Sequence, residues 1–162
     1  MEEYEFVNFL TNKEFTFNIY ESKVSLSEII KISEKINLKN SKDYEFILII
    51  DPKYATSYPE LIISYLNAGL SLRNKTNQSK SIAFETLLFF NNENSITAAL
   101  EKSGVKSEKS FLLFSNITDV EKAFSNNIKL IRNIKIEPLN EQEINKLSKI
   151  TSNKIVWNIL NL

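Results

Sequence analysis

An α+β fold with a mainly antiparallel sheet flanked by helices is predicted by three features of the sequence. Short runs of aromatic and β-branched residues, such as Phe15–Tyr20, Tyr44–Asp51 and Phe111–Phe114, have the length and composition of strands. Between them lie segments whose apolar residues recur at helical spacing behind Ser, Thr or Asn in capping positions. With 162 residues, 43% hydrophobic and 25% charged, the chain has ordinary globular values. A chain of this size buries roughly 70% of its unfolded surface around one core, so a single domain over residues 1–162 is expected.

The elements follow in order. Tyr4–Phe9 and Phe15–Tyr20, separated by Thr11-Asn12-Lys13-Glu14, read as an opening β-hairpin. Ser25 and Glu28 have capping-box spacing ahead of Ile29, Ile32 and Ile36, which share one helical face. The continuous run Phe46–Ile50 is too short for a typical buried helix and predicts a central strand covered on both faces, stopped by Asp51-Pro52. Ser57 is placed to cap the longest helix, with Pro59 tolerated in its first turn and Leu61, Ile62, Tyr65, Leu66, Ala68 and Leu72 on a broad apolar face that fades near Arg73.

Glu85–Phe90 reads as another buried strand ending at Asn91-Asn92. Ser95–Ser103 predicts a short helix, with Gly104 where a left-handed C-terminal cap favours a residue lacking Cβ. Phe111–Phe114 supplies the next strand, and Thr118 with Glu121 has capping-box spacing before a short helix through Phe124. Ile128–Ile136 is compatible with strand or helix. Asn140 begins a helix with Ile144, Leu147 and Ile150 on one stripe, and a last helical piece carries Ile155, Val156, Ile159 and Leu160.

Composition removes whole classes of chemistry. With His 0 and Cys 0 the chain lacks the commonest general base, the usual zinc ligands and a thiol nucleophile, so no metal is expected. Its only glycines, Gly69 and Gly104, cannot build a phosphate-cradling Gly-rich loop, and no cofactor is expected. Carboxylate-pair or lysine catalysis stays open with Asp+Glu 20 and Lys+Arg 20, although no spacing singles out a pair. Net charge +0 argues against nucleic-acid binding by bulk electrostatics, so any RNA contact must be local. No apolar stretch nears the roughly 20 residues that cross a bilayer, so a soluble chain away from membranes is expected, cytoplasmic or also nuclear in a eukaryote.

The stretch from Lys80 to Val105 combines a basic-hydroxyl pair at Lys80-Ser81, an apolar-flanked Glu85-x-Leu87-Leu88, the Asn-rich turn Asn91-Asn92-Glu93-Asn94, Ile96-Thr97-x-Ala99-Leu100 and a terminal Gly104-Val105. Together with Asp51-Pro52 before the Leu61–Leu72 helix, and Glu143-Ile144-x-Lys146-Leu147-Ser148 near the end, it resembles the PRPK-binding (TPRKB-type) subunit family of the KEOPS complex. The resemblance runs from about Tyr44 to the C-terminus. Glu60 stands where many archaeal members have His, and Asn94-Ser95-Ile96 where they have Arg-Gln-Ile, so contacts made by those side chains are not carried over.

The resemblance implies a non-catalytic subunit of a tRNA-modifying assembly. Its partners would be the atypical protein kinase subunit, indirectly the threonylcarbamoyl transferase subunit that acts on an adenosine beside the anticodon, and the single-stranded 3' CCA end of tRNA. Ile96, Ala99 and Leu100, with Ile155, Ile159 and Leu160, are the candidate kinase interface; the same six residues could equally fill the core. Arg73, Lys75 and Lys80, with the Ser81 hydroxyl, are the candidate RNA contacts; they could equally be a solvated loop. The competing readings are a small-molecule-binding or carboxylate/lysine-dependent enzyme domain, and an RNA-binding protein outside KEOPS. A deep pocket with converging ionisable groups would favour an enzyme, and a shallow apolar patch beside a basic strip would favour the subunit.

Overall fold

The computed structural model describes residues 10–11, 14–40, 44–73, 75–77, 79–105 and 110–149. The alternation of Phe15, Phe17 and Ile19 with residues of the opposite face sets strand β1 (Phe15–Ser22). It lies inside an antiparallel four-stranded sheet with β2 (Ile47–Ile50), β3 (Leu112–Ser115) and β4 (Ile128–Ile136), in the order β2-β3-β1-β4. The ladder sets Phe17 opposite Ile134 and Phe114 opposite both Ile19 and Leu48. The fold is therefore α+β, and Ile128–Ile136 resolves as strand.

Each sheet face carries its own apolar cluster. Phe15, Phe17, Leu48, Ile50 and Phe114 pack under α2 (Tyr58–Arg73) and α6 (Glu141–Lys149), against Leu61, Tyr65, Leu66 and Ile144. On the reverse face Tyr20, Ile47, Leu113 and Ile128 meet Ile29 of α1 (Leu26–Asn40) and Val120 of α5 (Val120–Ala123). A third, smaller cluster of Leu87, Leu88 and Ala99 joins α3 (Ile82–Asn91) to α4 (Ile96–Ser103). No helix among the described residues is long and apolar enough to cross a membrane.

Glu85–Phe90, expected as a strand, is helical and forms most of α3. A short run whose two polar residues, Glu85 and Thr86, are adjacent has no period to separate strand from buried helix, so the ends decide. The Ser81 hydroxyl accepts the Phe84 N–H at 3.4 Å, and Asn92 at φ 52° closes the other end, with Asn92 N–H on Phe89 O at 3.2 Å and Glu93 N–H on Leu88 O at 3.0 Å.

β2, expected to be central, is an edge strand, although both of its faces are covered. Asn37 of α1 makes this possible: its amide donates to Ile47 O and accepts Ile47 N–H, both at 2.9 Å, in place of a neighbouring strand. Gly104 is extended rather than left-handed, at φ −65° and ψ 162°. Glycine is required there by proximity, since a Cβ would collide with the Leu100 carbonyl oxygen. The Thr118–Glu121 box does not form; Asp119 precedes α5 in the left-handed region without a side-chain cap. Asn140 does cap α6, accepting Glu143 N–H at 2.8 Å while Glu143 accepts Asn140 N–H at 3.2 Å. The expected strand Tyr4–Phe9 and the helical piece carrying Ile155–Leu160 fall outside the described residues.

Two buried tyrosines fix a pH dependence. Burial, reinforced by the nearby Glu121 carboxylate, pushes the Tyr20 phenol up to about 12, and burial raises Tyr65 well above its usual value. The neutral phenols are favoured in the folded state, so their contribution is fully present below the unfolded value of 10.0 and is lost as pH rises towards about 12. Urea midpoints should fall across that window. Tyr20→Phe should flatten the fall without abolishing it, because Tyr65 remains.

Candidate functional site

The described residues of the polar connection between α2 and α3 are held by hydrogen bonds. Lys75, at φ 58°, occupies the left-handed position of a Schellman closure in which Lys75 N–H reaches Leu72 O at 3.3 Å and Thr76 N–H reaches Ser71 O at 2.9 Å. Further on, Ser79 is held from three sides. The Asn77 amide donates to its carbonyl at 2.9 Å, Ser81 N–H donates to its hydroxyl at 3.2 Å, and its own N–H donates to Glu85 Oε1 at 2.5 Å. Glu85 is 2% exposed, and its other oxygen accepts the Ser71 hydroxyl at 3.1 Å. A buried carboxylate is tolerated when hydrogen bonds replace lost water, and here they do.

Lys75 and Lys80 are exposed on this turn, and Ser81, its hydroxyl engaged as the α3 N-cap, adjoins Lys80. Arg73 is the last residue of α2, and its side chain lies outside the described parts. The turn thus brings three of the four expected RNA contacts into one short segment next to the fourth. Glu85 lies in the first turn of α3 and opposes the positive end of the helix dipole, so attraction for a phosphate falls on the lysine side chains. Phe84 was missed by the sequence reading. It is 42% exposed, in the same first helical turn, and offers a ring on which a base can stack. Reading Ser81 as an N-cap rather than as a strand neighbour would have exposed it.

The second surface begins at α4. The Ser95 hydroxyl caps the helix by accepting Ala98 N–H at 3.4 Å, and α4 is clamped to α3 by Asn91, whose amide donates to Leu87 O at 2.8 Å and to the Ser103 hydroxyl at 2.7 Å. An ion pair joins Lys102 to Glu93. Of the expected kinase contacts, Ala99 is 0% exposed and packs α4 onto α3. Ile96 is half-buried against the same cluster, while Leu100 is 45% exposed. Ile155, Ile159 and Leu160 lie outside the described residues.

Leu100 forms one wall of a groove of about 400 Å³ between α1, the outer edge of β2, α3 and α4. Its rim carries Ile30 and Phe84, which with Leu100 are three of the seven large hydrophobic side chains exposed among the described residues. Inside, the buried Ser33 hydroxyl has no described partner. Among the described residues that line the groove, Glu34 is the one ionisable side chain. No group of three or more His, Cys, Asp or Glu that could hold a metal exists among the described residues. Because Phe84 stands both at the groove and beside the Lys75–Ser81 turn, the apolar patch and the basic strip adjoin. Among the described residues the groove offers no paired carboxylates for catalysis.

The model of one protein family, described as kinase binding protein CGI-121, matches residues 23–160 of the chain. Comparison with curated proteins finds no match.

Proposed function

The chain belongs to the family of kinase binding protein CGI-121, and from that premise we propose that it is the non-catalytic, kinase-binding subunit of a cytoplasmic KEOPS complex that also tethers the 3' CCA end of tRNA. The atypical kinase subunit docks on the exposed face of α4 at Leu100 and Ile96, with Ile155, Ile159 and Leu160 completing the contact, and through it the chain joins the threonylcarbamoyl transferase subunit. Ala99 acts indirectly, by seating α4. Lys75, Lys80 and Ser81, with Arg73, hold the phosphates of the RNA end, and Phe84 stacks on one of its bases. Holding one end of the tRNA raises its effective concentration at a distant catalytic subunit, which requires no reacting group here.

The observation that carries this reading is the adjacency of an apolar groove, rimmed by Ile30, Phe84 and Leu100, to a hydrogen-bonded basic turn. Lys80→Glu should weaken tRNA binding and flatten the dependence of log affinity on log salt, with about 0.7 units expected per phosphate neutralised on a single strand. Selectivity for the end is tested by titrating intact tRNA against tRNA trimmed of its CCA. Equal affinities would sink end capture, and an unchanged Lys80→Glu slope would remove Lys80 from the site.

A further inference from the structure

We propose that Glu85 is the positioning residue of the RNA-binding turn: a buried carboxylate that fixes Ser79, and through it Lys80, before any ligand arrives. This rests on the RNA reading above and extends it to a residue that would touch no RNA.

A six-residue polar connection of this composition, Lys75–Lys80, would ordinarily sample many backbone conformations, and each would aim Lys80 differently. Here both ends are closed. The Schellman closure of α2 sets Lys75, and the α3 N-cap sets Ser81. Between them the backbone N–H of Ser79 has no helix or strand to satisfy it, and Glu85 Oε1 accepts it at 2.5 Å. The carboxylate is in turn buried and hydrogen-bonded. It is 2% exposed, and its second oxygen lies 3.1 Å from the Ser71 hydroxyl, whose one proton is shared with Ala68 O at 2.8 Å within α2. Glu85 therefore ties α2, α3 and the turn together at one point. Lys80 lies between two residues that cannot swing, Ser79 held by Glu85 and Ser81 held by Phe84 N–H. A cation on a fixed backbone loses less freedom when it meets a phosphate than one on a mobile loop, so the contact gains affinity without any new bond.

The test uses the full chain and a tRNA bearing its CCA end, with Glu85→Gln and Glu85→Leu. Glutamine keeps an oxygen for Ser79 N–H, and its RNA affinity should stay within about twofold of wild type. Leucine keeps bulk but no acceptor, and should lower RNA affinity roughly three- to tenfold while affinity for the kinase subunit is unchanged. Amide exchange at Ser79 provides an RNA-independent reading: slow in wild type and in Glu85→Gln, fast in Glu85→Leu. If Glu85→Leu does not fold, Asn77→Ala loosens the same residue from a half-buried side chain and should move RNA affinity and Ser79 exchange in the same direction. A folded Glu85→Leu with fast Ser79 exchange and wild-type RNA affinity overturns the proposal and leaves the RNA reading standing. Failure of the wild-type protein to bind tRNA, with Ser79 protected, overturns the RNA reading itself and the proposal with it.

Discussion

Phe17→Ala should destabilise the protein by about 3–5 kcal/mol, the cost of deleting a buried aromatic ring whose site cannot collapse. Phe17 is 0% exposed at the middle of β1. Its ring meets four others: Phe15 of the same strand at 5.8 Å edge-on and, from other elements, Tyr65 at 5.2 Å edge-on, Phe114 at 5.5 Å stacked and Phe46 at 6.3 Å tilted. The last three come from α2, β3 and the lead into β2, so none can move into the space without dragging its own element. The Tyr65 ring is further pinned because its hydroxyl donates to Tyr44 O at 2.7 Å and accepts from the Asn116 amide at 3.2 Å. Since whole domains are stable by only about 5–15 kcal/mol, this variant should be largely unfolded under mild denaturant. Leu130→Ala on β4 is the control, because Leu130 is 44% exposed and its loss should cost within about 0.5 kcal/mol. Equal urea midpoints for the two variants would show that the aromatic cluster does not hold the core.

Where sequence alone was sufficient, a distinctive composition, a period or a complete cap was present. β1 announced itself by its run of aromatic and β-branched residues, α2 by a broad apolar face, and α6 by the reciprocal Asn140–Glu143 box. Where it failed, the deciding contact was either aperiodic or distant along the chain. In Phe84–Phe90 the two polar residues, Glu85 and Thr86, are adjacent and mark no period, and only its end residues show that it is a helix. The edge position of β2 is hidden because Asn37, ten residues earlier, supplies the hydrogen bonds of a missing strand, so the apolar run looks central. Gly104 was placed correctly at a helix end but for the wrong physical reason: the constraint is contact with Leu100, not a positive φ. Of the candidate site, the basic residues of the α2–α3 connection were legible as a cluster. Their fixation by Glu85 was not, since a glutamate in an apolar run signals nothing about which backbone N–H it will meet. The burial of Ala99 against the exposure of its neighbour Leu100 likewise depends on where α3 packs.

That contrast sets the second large effect. Leu100→Glu should weaken kinase binding by about 2 kcal/mol or more, some thirtyfold in Kd, because a central apolar anchor is lost and a carboxylate must be desolvated or left to block the groove. Leu100 is 45% exposed, so the fold should survive with an unchanged circular dichroism spectrum and a melting temperature near that of wild type. Ile96→Glu is the informative comparison. Ile96 packs on the α3–α4 cluster, so its replacement should lower both kinase affinity and stability. Kinase affinity unchanged in a folded Leu100→Glu protein would remove α4 from the interface.

Tethering is tested most directly by mixing the chain, the atypical kinase subunit and tRNA, and asking by size-exclusion chromatography with light scattering whether one species contains all three. The adjacency of the groove to the Lys75–Ser81 turn predicts a ternary complex with intact tRNA, and a protein-only complex when the CCA is trimmed or when Lys80→Glu is used. Displacement of the kinase by tRNA would contradict simultaneous binding at adjoining sites, and a chain that binds neither partner would contradict the proposed function altogether.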